Sequence, residues 1–317
     1  MNSKLNKVII ATGGTGGHVF PACSLARHLI DKKINVQLTS DKRGMKYLKN
    51  YQDLNIIQIS SSTISKKNIF NFFISNLIIL YSIFSSIVFL IFNRPNLVFG
   101  MGGYSSFPIC IGAKILRIPF IIYENNLHIG KANKFLIPFA NKVFVSHLSL
   151  EGVSNKYKNK LCKIGNIIRK EILNFNVISN KDSKDEKLKI LILGGSQAAK
   201  IFAEELPKIF EKCINAKIPL KIYQQCLPDQ NEFLSNIYKK LNLDCEIFNF
   251  NNNITKYFSQ INLAITRSGS SMLAELINVK IPFISVPLPT SADNHQLKNA
   301  IYYEKNQYSY LIEEKDL

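Results

Sequence analysis

The 317 residues contain no Cys-x-x-Cys pair, no Asp-x-Asp and no Gly-x-Gly-x-x-Gly. Six cysteines (Cys23, Cys110, Cys162, Cys213, Cys226, Cys245) are scattered, which argues against a zinc site or a disulfide framework and fits a reducing compartment. Without an acidic pair or a His/Cys cluster at ligand spacing, no metal site is expected. A bound diphosphate would then be neutralised by helix N-termini, backbone N–H groups and Arg or Lys. The missing dinucleotide fingerprint disfavours a nicotinamide enzyme. So does the lack of an acid closing a clear strand near residues 31–41, since Asp31 and Asp41 are read as ending none. No Gly-Lys-Ser/Thr follows the first glycine cluster, which excludes a Walker-type loop. No basic-then-apolar leader is expected, because the first strand starts within ten residues.

Acidic residues are scarce as well. The chain holds 40 Lys and Arg against 22 Asp and Glu, a formal charge of +18. The shortage is uneven: residues 1–160 carry 20 basic against 5 acidic residues, and residues 161–317 carry 20 against 17. A basic first half suits an anionic partner. No interleaved basic and aromatic array resembles a nucleic-acid module, so no nucleic acid is expected. An anionic membrane surface or a phosphorylated substrate remains.

Residues 7–18, Lys-Val-Ile-Ile-Ala-Thr-Gly-Gly-Thr-Gly-Gly-His, are the most informative stretch. A β-branched run enters four glycines, and Val19, Ala22, Leu25, Ala26 and Leu29 then recur on one helical face. Strand, glycine loop and helix place backbone N–H groups against a phosphate. The second half repeats this: Lys187–Leu193 is a strand, Gly194-Gly195-Ser196-Gln197-Ala198-Ala199 a loop, and Ile201, Phe202, Leu206, Ile209 and Phe210 a helical face. The polar segment 174–187 reads as a linker. The expected fold is therefore α/β: two Rossmann-like parallel-sheet domains facing across a cleft, residues 1–174 and 175–317.

Residues 69–92 lack any charge, between Lys66-Lys67 and Arg94. The run is long enough for a span. Asn71, Ser75, Asn76, Ser82, Ser85 and Ser86 interrupt it, and it lies between strands of one α/β unit. The preferred reading is a helix on the sheet with outward apolar surface for membrane contact and lysines for anionic lipid heads. An ordinary buried helix and a true span are the alternatives.

Several residues end strands where such sheets bind ligands. Glu275 is read as an acceptor from ligand hydroxyls, Arg169 as an anion contact, and Ser196 as a helix cap or phosphate contact. His18, the one histidine in a glycine loop, is the candidate for proton transfer.

Taken together these motifs resemble one family. Gly13-Gly14-Thr15-Gly16-Gly17-His18-Val19-Phe20-Pro21-Ala22, Gly100-Met101-Gly102-Gly103-Tyr104, Glu124-Asn125-Asn126, Gly165-Asn166 with Arg169, Gly194-Gly195-Ser196-Gln197, Arg267-Ser268-Gly269 with Glu275, and Asn299-Ala300 match in order the MurG-type N-acetylglucosaminyltransferases of peptidoglycan synthesis. The resemblance implies a GT-B fold and an inverting, metal-independent transfer of GlcNAc from UDP-GlcNAc to undecaprenyl-linked lipid I, giving lipid II. It implies no cofactor and a peripheral location on the cytoplasmic face of the cell membrane. The first domain would face acceptor and membrane, and the second would hold the UDP-sugar. Thr15, Gly16, Gly17 and Asn126 would line the meeting place of donor sugar and acceptor. Gly14, Gly102, Gly103 and Tyr104 would take the acceptor diphosphate. Arg169 and Ser196 would contact the UDP diphosphate, Ser270 and Ser271 its phosphate, Glu275 the ribose and Gln296 the GlcNAc hydroxyls. Phe250 and Asn251 would sit against uracil. Ala198 stands where the family usually has Gly, Asn251 where it has an aliphatic residue, and Tyr123 where His is common. Family members continue with further helices past the point corresponding to Leu317, so the second domain is read as truncated. The alternative reading is a catalytically impaired relative that binds lipid diphosphate.

Overall fold

The computed structural model describes residues 5–61, 69–175, 186–195, 199–249 and 253–317, with only the backbone of 69–73. Chain contacts divide it into two units, Met1–Ile168 and Arg169–Leu317. The polar segment read as the linker begins at residue 174, and the short helix before it belongs with the second unit.

The first unit opens with β1 (Lys7–Thr12), α1 (Gly16–Asp31), β2 (Asn35–Ser40), α2 (Lys42–Leu48) and β3 (Ile56–Gln58). After α3 (Ile69–Asn93) it returns through β4 (Leu97–Gly100), α4 (Gly103–Ile115), β5 (Phe120–Glu124), α5 (Lys131–Leu136), β6 (Lys142–Val145) and β7 (Leu161–Lys163). The strands pair in the order β3-β2-β1-β4-β5-β6-β7, all parallel. Both faces are covered. Val8 and Ile10 pack with Val19, Ala22 and Ala26 of α1, while Ile9 and Ala11 pack with Leu90 of α3 and Ile109 and Ala113 of α4. Alternate residues of one strand thus feed two cores, which is why β1 reads as a continuous apolar run.

The second unit runs α6 (Lys170–Leu173), β8 (Leu188–Leu193), α7 (Lys200–Asn215), β9 (Leu220–Gln225), α8 (Asn231–Lys240), β10 (Asp244–Phe248), α9 (Thr255–Phe258), β11 (Leu263–Thr266), α10 (Ser270–Asn278), β12 (Phe283–Ser285), α11 (His295–Lys305) and β13 (Ser309–Leu311). Its parallel sheet has the order β10-β9-β8-β11-β12-β13. The expected amphipathic helix is present as α7: Phe202, Leu206 and Phe210 are buried against β8 and β9.

Each sheet reverses direction of growth once, between β1 and β4 and between β8 and β11. Parallel sheets bind ligands at the carboxyl ends of the strands flanking that reversal. Four loops are thereby selected, at residues 13–15, 101–102, 194–195 and 267–269.

Helix α3 turns its serines inward beside Leu90 and much of its apolar surface outward. From Ile74 to Asn93 it is long and apolar enough to cross a membrane, with a mean hydropathy of 2.2 and 22% of it buried. Ser82 and Ser86 are 2% and 1% exposed, and each hydroxyl donates 2.7 Å to the carbonyl four residues earlier. Satisfying a buried hydroxyl on its own helix lets a small residue face α4 without an unpaired polar group. The approach is close: a β-carbon on Gly112 of α4 would stand 3.2 Å from Leu90. Leu80, Phe84 and Phe92 point outward at 63%, 66% and 82% exposure. The serines that interrupt the run therefore mark the packed face. Lys66 and Lys67 lie outside the described residues.

Candidate functional site

In the first unit the loop after β1 is built around Asp41. This residue directly follows β2, so the expectation that no acid closes a strand here is corrected. The six-residue strand ends in Thr39-Ser40, whose polarity hides its end from a hydropathy reading. Asp41 Oδ1 accepts from Gly14 N and Gly44 N, both at 2.8 Å. Oδ2 accepts from Arg43 Nε at 3.1 Å and Ser61 Oγ at 3.2 Å. Burial alone would raise the carboxyl's pKa, but the two backbone N–H groups and the Arg43 charge outweigh it and hold it below the usual range. A β-carbon on Gly13, at φ +146°, would stand 2.5 Å from Asp41 Oδ1 and 2.7 Å from Ser105 Oγ. Only glycine fits there.

His18 lies across the loop after β4. β-carbons on Gly102 and Gly103 would approach its ring to 3.1 and 3.4 Å, and both glycines have φ in the left-handed range, +89° and +74°. The imidazole thus packs against both glycines and crowds a side chain at 102. Thr15 beside it is exposed, and Gly14, Gly17 and Tyr104 are half-buried.

Glu124 plays for the loop after β5 the part Asp41 plays for the loop after β1. It is 3% exposed. Oε1 accepts from the backbone N and Nδ2 of Asn126 at 3.1 and 3.0 Å, and Oε2 from Gly130 N at 2.9 Å and Asn133 Nδ2 at 3.0 Å. Asn125 Nδ2 then donates 3.3 Å to Gly17 O, bringing this loop to the start of α1. Tyr123, where the family pattern often has His, accepts from Ile167 N at 2.9 Å and fixes the segment 165–167.

In the second unit Arg169 and Glu275 meet each other. Arg169 Nε donates 2.8 Å to Oε1 and Nη2 donates 2.6 Å to Oε2, a two-pronged pair with both side chains buried. Ser270, buried, and Ser271 open α10 immediately before Glu275. Gln296 Oε1 accepts from Leu288 N at 3.0 Å and shapes the loop after β12. Arg267 donates to the carbonyls of Val286 and Pro287, pairs with Glu314 and lies over the Phe202 ring, so it ties strand ends together. Asn299 Nδ2 holds Ser268 O at 3.1 Å. Gly195 and Gly269 contrast with the first unit: among the described residues nothing stands within 4 Å of a β-carbon at either.

The first unit thus brings together Gly14, Thr15, Gly16, Gly17, His18, Gly102, Gly103, Tyr104 and Asn126 on one sheet edge. The second brings together Arg169, Ser270, Ser271 and Glu275, with Gln296 in the first turn of α11. Ser196, Phe250 and Asn251 lie outside the described residues. Asp41, Arg43 and Glu124 were not among the candidate residues read from sequence. A signal was present: of only five acids before residue 161, these two carboxylates are the ones at the carboxyl ends of strands, Glu124 closing β5 and Asp41 following β2. Among the described residues no group of three or more His, Cys, Asp and Glu could hold a metal ion.

Similarity to known proteins agrees with this geometry. Residues 8–145 match the glycosyltransferase family 28 N-terminal domain and residues 189–317 its C-terminal domain. A relative from Pelagibacter ubique is 38% identical over 98% of this chain and 85% of its own length; one from Rickettsia canadensis is 35% identical over 99% and 87%. Both are called UDP-N-acetylglucosamine–N-acetylmuramyl-(pentapeptide) pyrophosphoryl-undecaprenol N-acetylglucosamine transferase. The crystal structure of Acinetobacter baumannii MurG superposes with a TM-score of 0.74 at 27% identity, covering 98% of this chain and 86% of that one. The chain belongs to glycosyltransferase family 28, and its fold is GT-B.

Proposed function

We propose that this protein transfers N-acetylglucosamine from UDP-GlcNAc to the 4-hydroxyl of the muramoyl sugar of undecaprenyl-linked lipid I, producing lipid II for peptidoglycan synthesis. The observation that carries the reading is the 38% identity over nearly the whole chain with a relative named for that reaction. The hydroxyl oxygen attacks C1 of GlcNAc from the face opposite the nucleotide. The C1–O bond to UDP breaks, the configuration inverts, and UDP leaves as the anion.

The acceptor belongs to the first unit. Its diphosphate lies over Gly14, Gly102, Gly103 and Tyr104, and Thr15, Gly16, Gly17 and Asn126 line the reacting sugars. His18 takes the proton from the attacking hydroxyl. Its ring is braced against Gly102 and Gly103, which supports a fixed position for the base. The donor belongs to the second unit. The Arg169–Glu275 pair serves the nucleotide as one body, with Glu275 receiving the ribose hydroxyls and Arg169 the diphosphate. Ser196, with Ser270 and Ser271 at the start of α10, meets the phosphate charge, Gln296 the GlcNAc hydroxyls, and Asn251 the uracil. No cofactor and no divalent cation enter this scheme.

The enzyme is a peripheral protein of the cytoplasmic membrane face. The outward apolar side of α3 supports this: Leu77, Leu80, Tyr81 and Phe84 form an exposed stripe that water does not favour.

Turnover of a lipid I analogue with UDP-GlcNAc tests the reaction, and the same assay in chelator tests metal independence. Binding of lipid diphosphate without turnover would favour the impaired alternative. For the membrane, the paired change Leu80→Glu with Phe84→Glu should abolish binding to anionic vesicles while sparing UDP binding. Resistance of the parent to both high salt and alkaline extraction would instead indicate a span.

A further inference from the structure

We propose that Arg43 is the counter-charge for the acceptor diphosphate and that Asp41 is the positioning residue that aims it. This inference rests on the lipid I reading above. A diphosphate ester carries several negative charges, and backbone N–H groups alone offset them in part. Arg43 follows the carboxyl end of β2, on the same sheet edge as Gly14, Gly102 and Gly103. Its Nη2 lies 3.8 Å from where a β-carbon on Gly14 would stand, so the guanidinium borders the glycine loop itself.

The way Arg43 is held differs from the way two other arginines of this chain meet their carboxylates. Arg27 grips Asp53, and Arg169 grips Glu275, with two prongs each, through Nε and Nη2 onto separate carboxylate oxygens. That fork-on-fork contact is the favoured geometry for an arginine whose partner is a carboxylate. Arg43 reaches Asp41 through Nε alone. The second prong is unavailable because Asp41 Oδ1 is already taken by Gly14 N and Gly44 N. Among the described residues the Nη groups of Arg43 have no other partner, and its side chain is 56% exposed while that of Asp41 is 5% exposed. One end of the guanidinium is therefore fixed and the other is presented beside the glycine loop, a planar pair of donors matched to phosphate oxygens. Gly44 completes the mount: a β-carbon there would stand 2.7 Å from Gly13 Cα, so the turn carrying Arg43 packs directly on the loop it serves.

The test uses the full chain with donor and acceptor varied separately. Arg43→Ala should raise the acceptor KM at least ten-fold and leave the UDP-GlcNAc KM within two-fold. Arg43→Lys, which keeps charge but loses the Asp41 anchor and the fork, should fall between. Asp41→Asn should raise the acceptor KM with the donor KM again unmoved, a split that a general loss of folding does not give. A second arm needs no turnover. With UDP saturating, calorimetric titration of the parent should favour farnesyl diphosphate over farnesyl monophosphate, and Arg43→Ala should erase that preference. An unchanged acceptor KM together with a retained preference in Arg43→Ala would overturn the proposal. A parent that keeps the Arg43-dependent preference but turns over no lipid I analogue would overturn the reaction assigned above and leave the diphosphate site standing.

Discussion

The two units wind their strands in the same order, yet their glycines answer to different neighbours. In the first, Gly13 and Gly44 are required by the protein's own atoms: Asp41, Ser105, Ser40 and the facing loop occupy the positions where β-carbons would go, and the His18 ring borders Gly102 and Gly103, both at positive φ. In the second, Gly195 and Gly269 meet no described protein atom within 4 Å. One switch-point edge is pre-assembled by buried carboxylates, and at the other no described atom crowds these two glycines. A glycine loop in sequence thus reports close approach without saying whether the approaching group is protein or ligand.

The sharpest way to break that contrast is to remove the buried carboxylate of Glu275, which organises the second unit. Glu275→Ala leaves Arg169 charged and buried, which should cost about 3–5 kcal/mol. Urea unfolding measures it, and a loss below 1 kcal/mol would mean the pair is not what secures α6 against α10. Next comes Gly13→Ala. A left-handed φ and three contacts under 3 Å add strain to overpacking, about 2–4 kcal/mol together. Stability within experimental error of the parent would show that the loop after β1 yields easily.

Asp41 supplies a pH signature for the first unit's glycine edge. Its folded pKa is depressed, so its contribution is complete above the unfolded carboxylate value of about 4 and is lost as pH falls through the lower folded value. The stability gap between the parent and Asp41→Asn should therefore be wide at pH 7 and shrink below pH 4. A gap of constant size across that range contradicts the assignment. The smallest stability effect is expected for Gly269→Ala, where φ is −72° and space is open. Reduced freedom of the unfolded chain should leave stability unchanged or raised by up to about 1 kcal/mol. Donor affinity should fall all the same, and an unaltered UDP dissociation constant would remove Gly269 from the nucleotide surface.

Much of this was legible in the sequence. Val8-Ile9-Ile10 and Leu191-Ile192-Leu193 announce buried strands, and the glycines after each announce the two switch points. The face of α1 and that of α7 follow from apolar spacing alone. What stayed hidden depends on side chains that meet across long stretches of chain. Arg169 and Glu275 are 106 positions apart, and each reads singly as a ligand contact. Asp41 reads as a loop acid because the polar end of β2 carries no hydropathy signal. The serines of α3 read as breaks in an apolar face, since hydropathy does not record a hydroxyl satisfied by its own helix.

Pro21 has a consequence for how this sequence can drift. Standing within α1, it has no N–H to return to Gly17 O, and Asn125 supplies that bond from the far side of β4. The two positions are therefore epistatic. Asn125→Ala should be costly beside Pro21 and nearly silent beside Pro21→Ala, where the helix mends its own ladder. A double-mutant cycle with additive losses would deny the link. If the coupling is found, Asn125 is not free to change until Pro21 has, and the loops after β1 and β5 are inherited as a single trait.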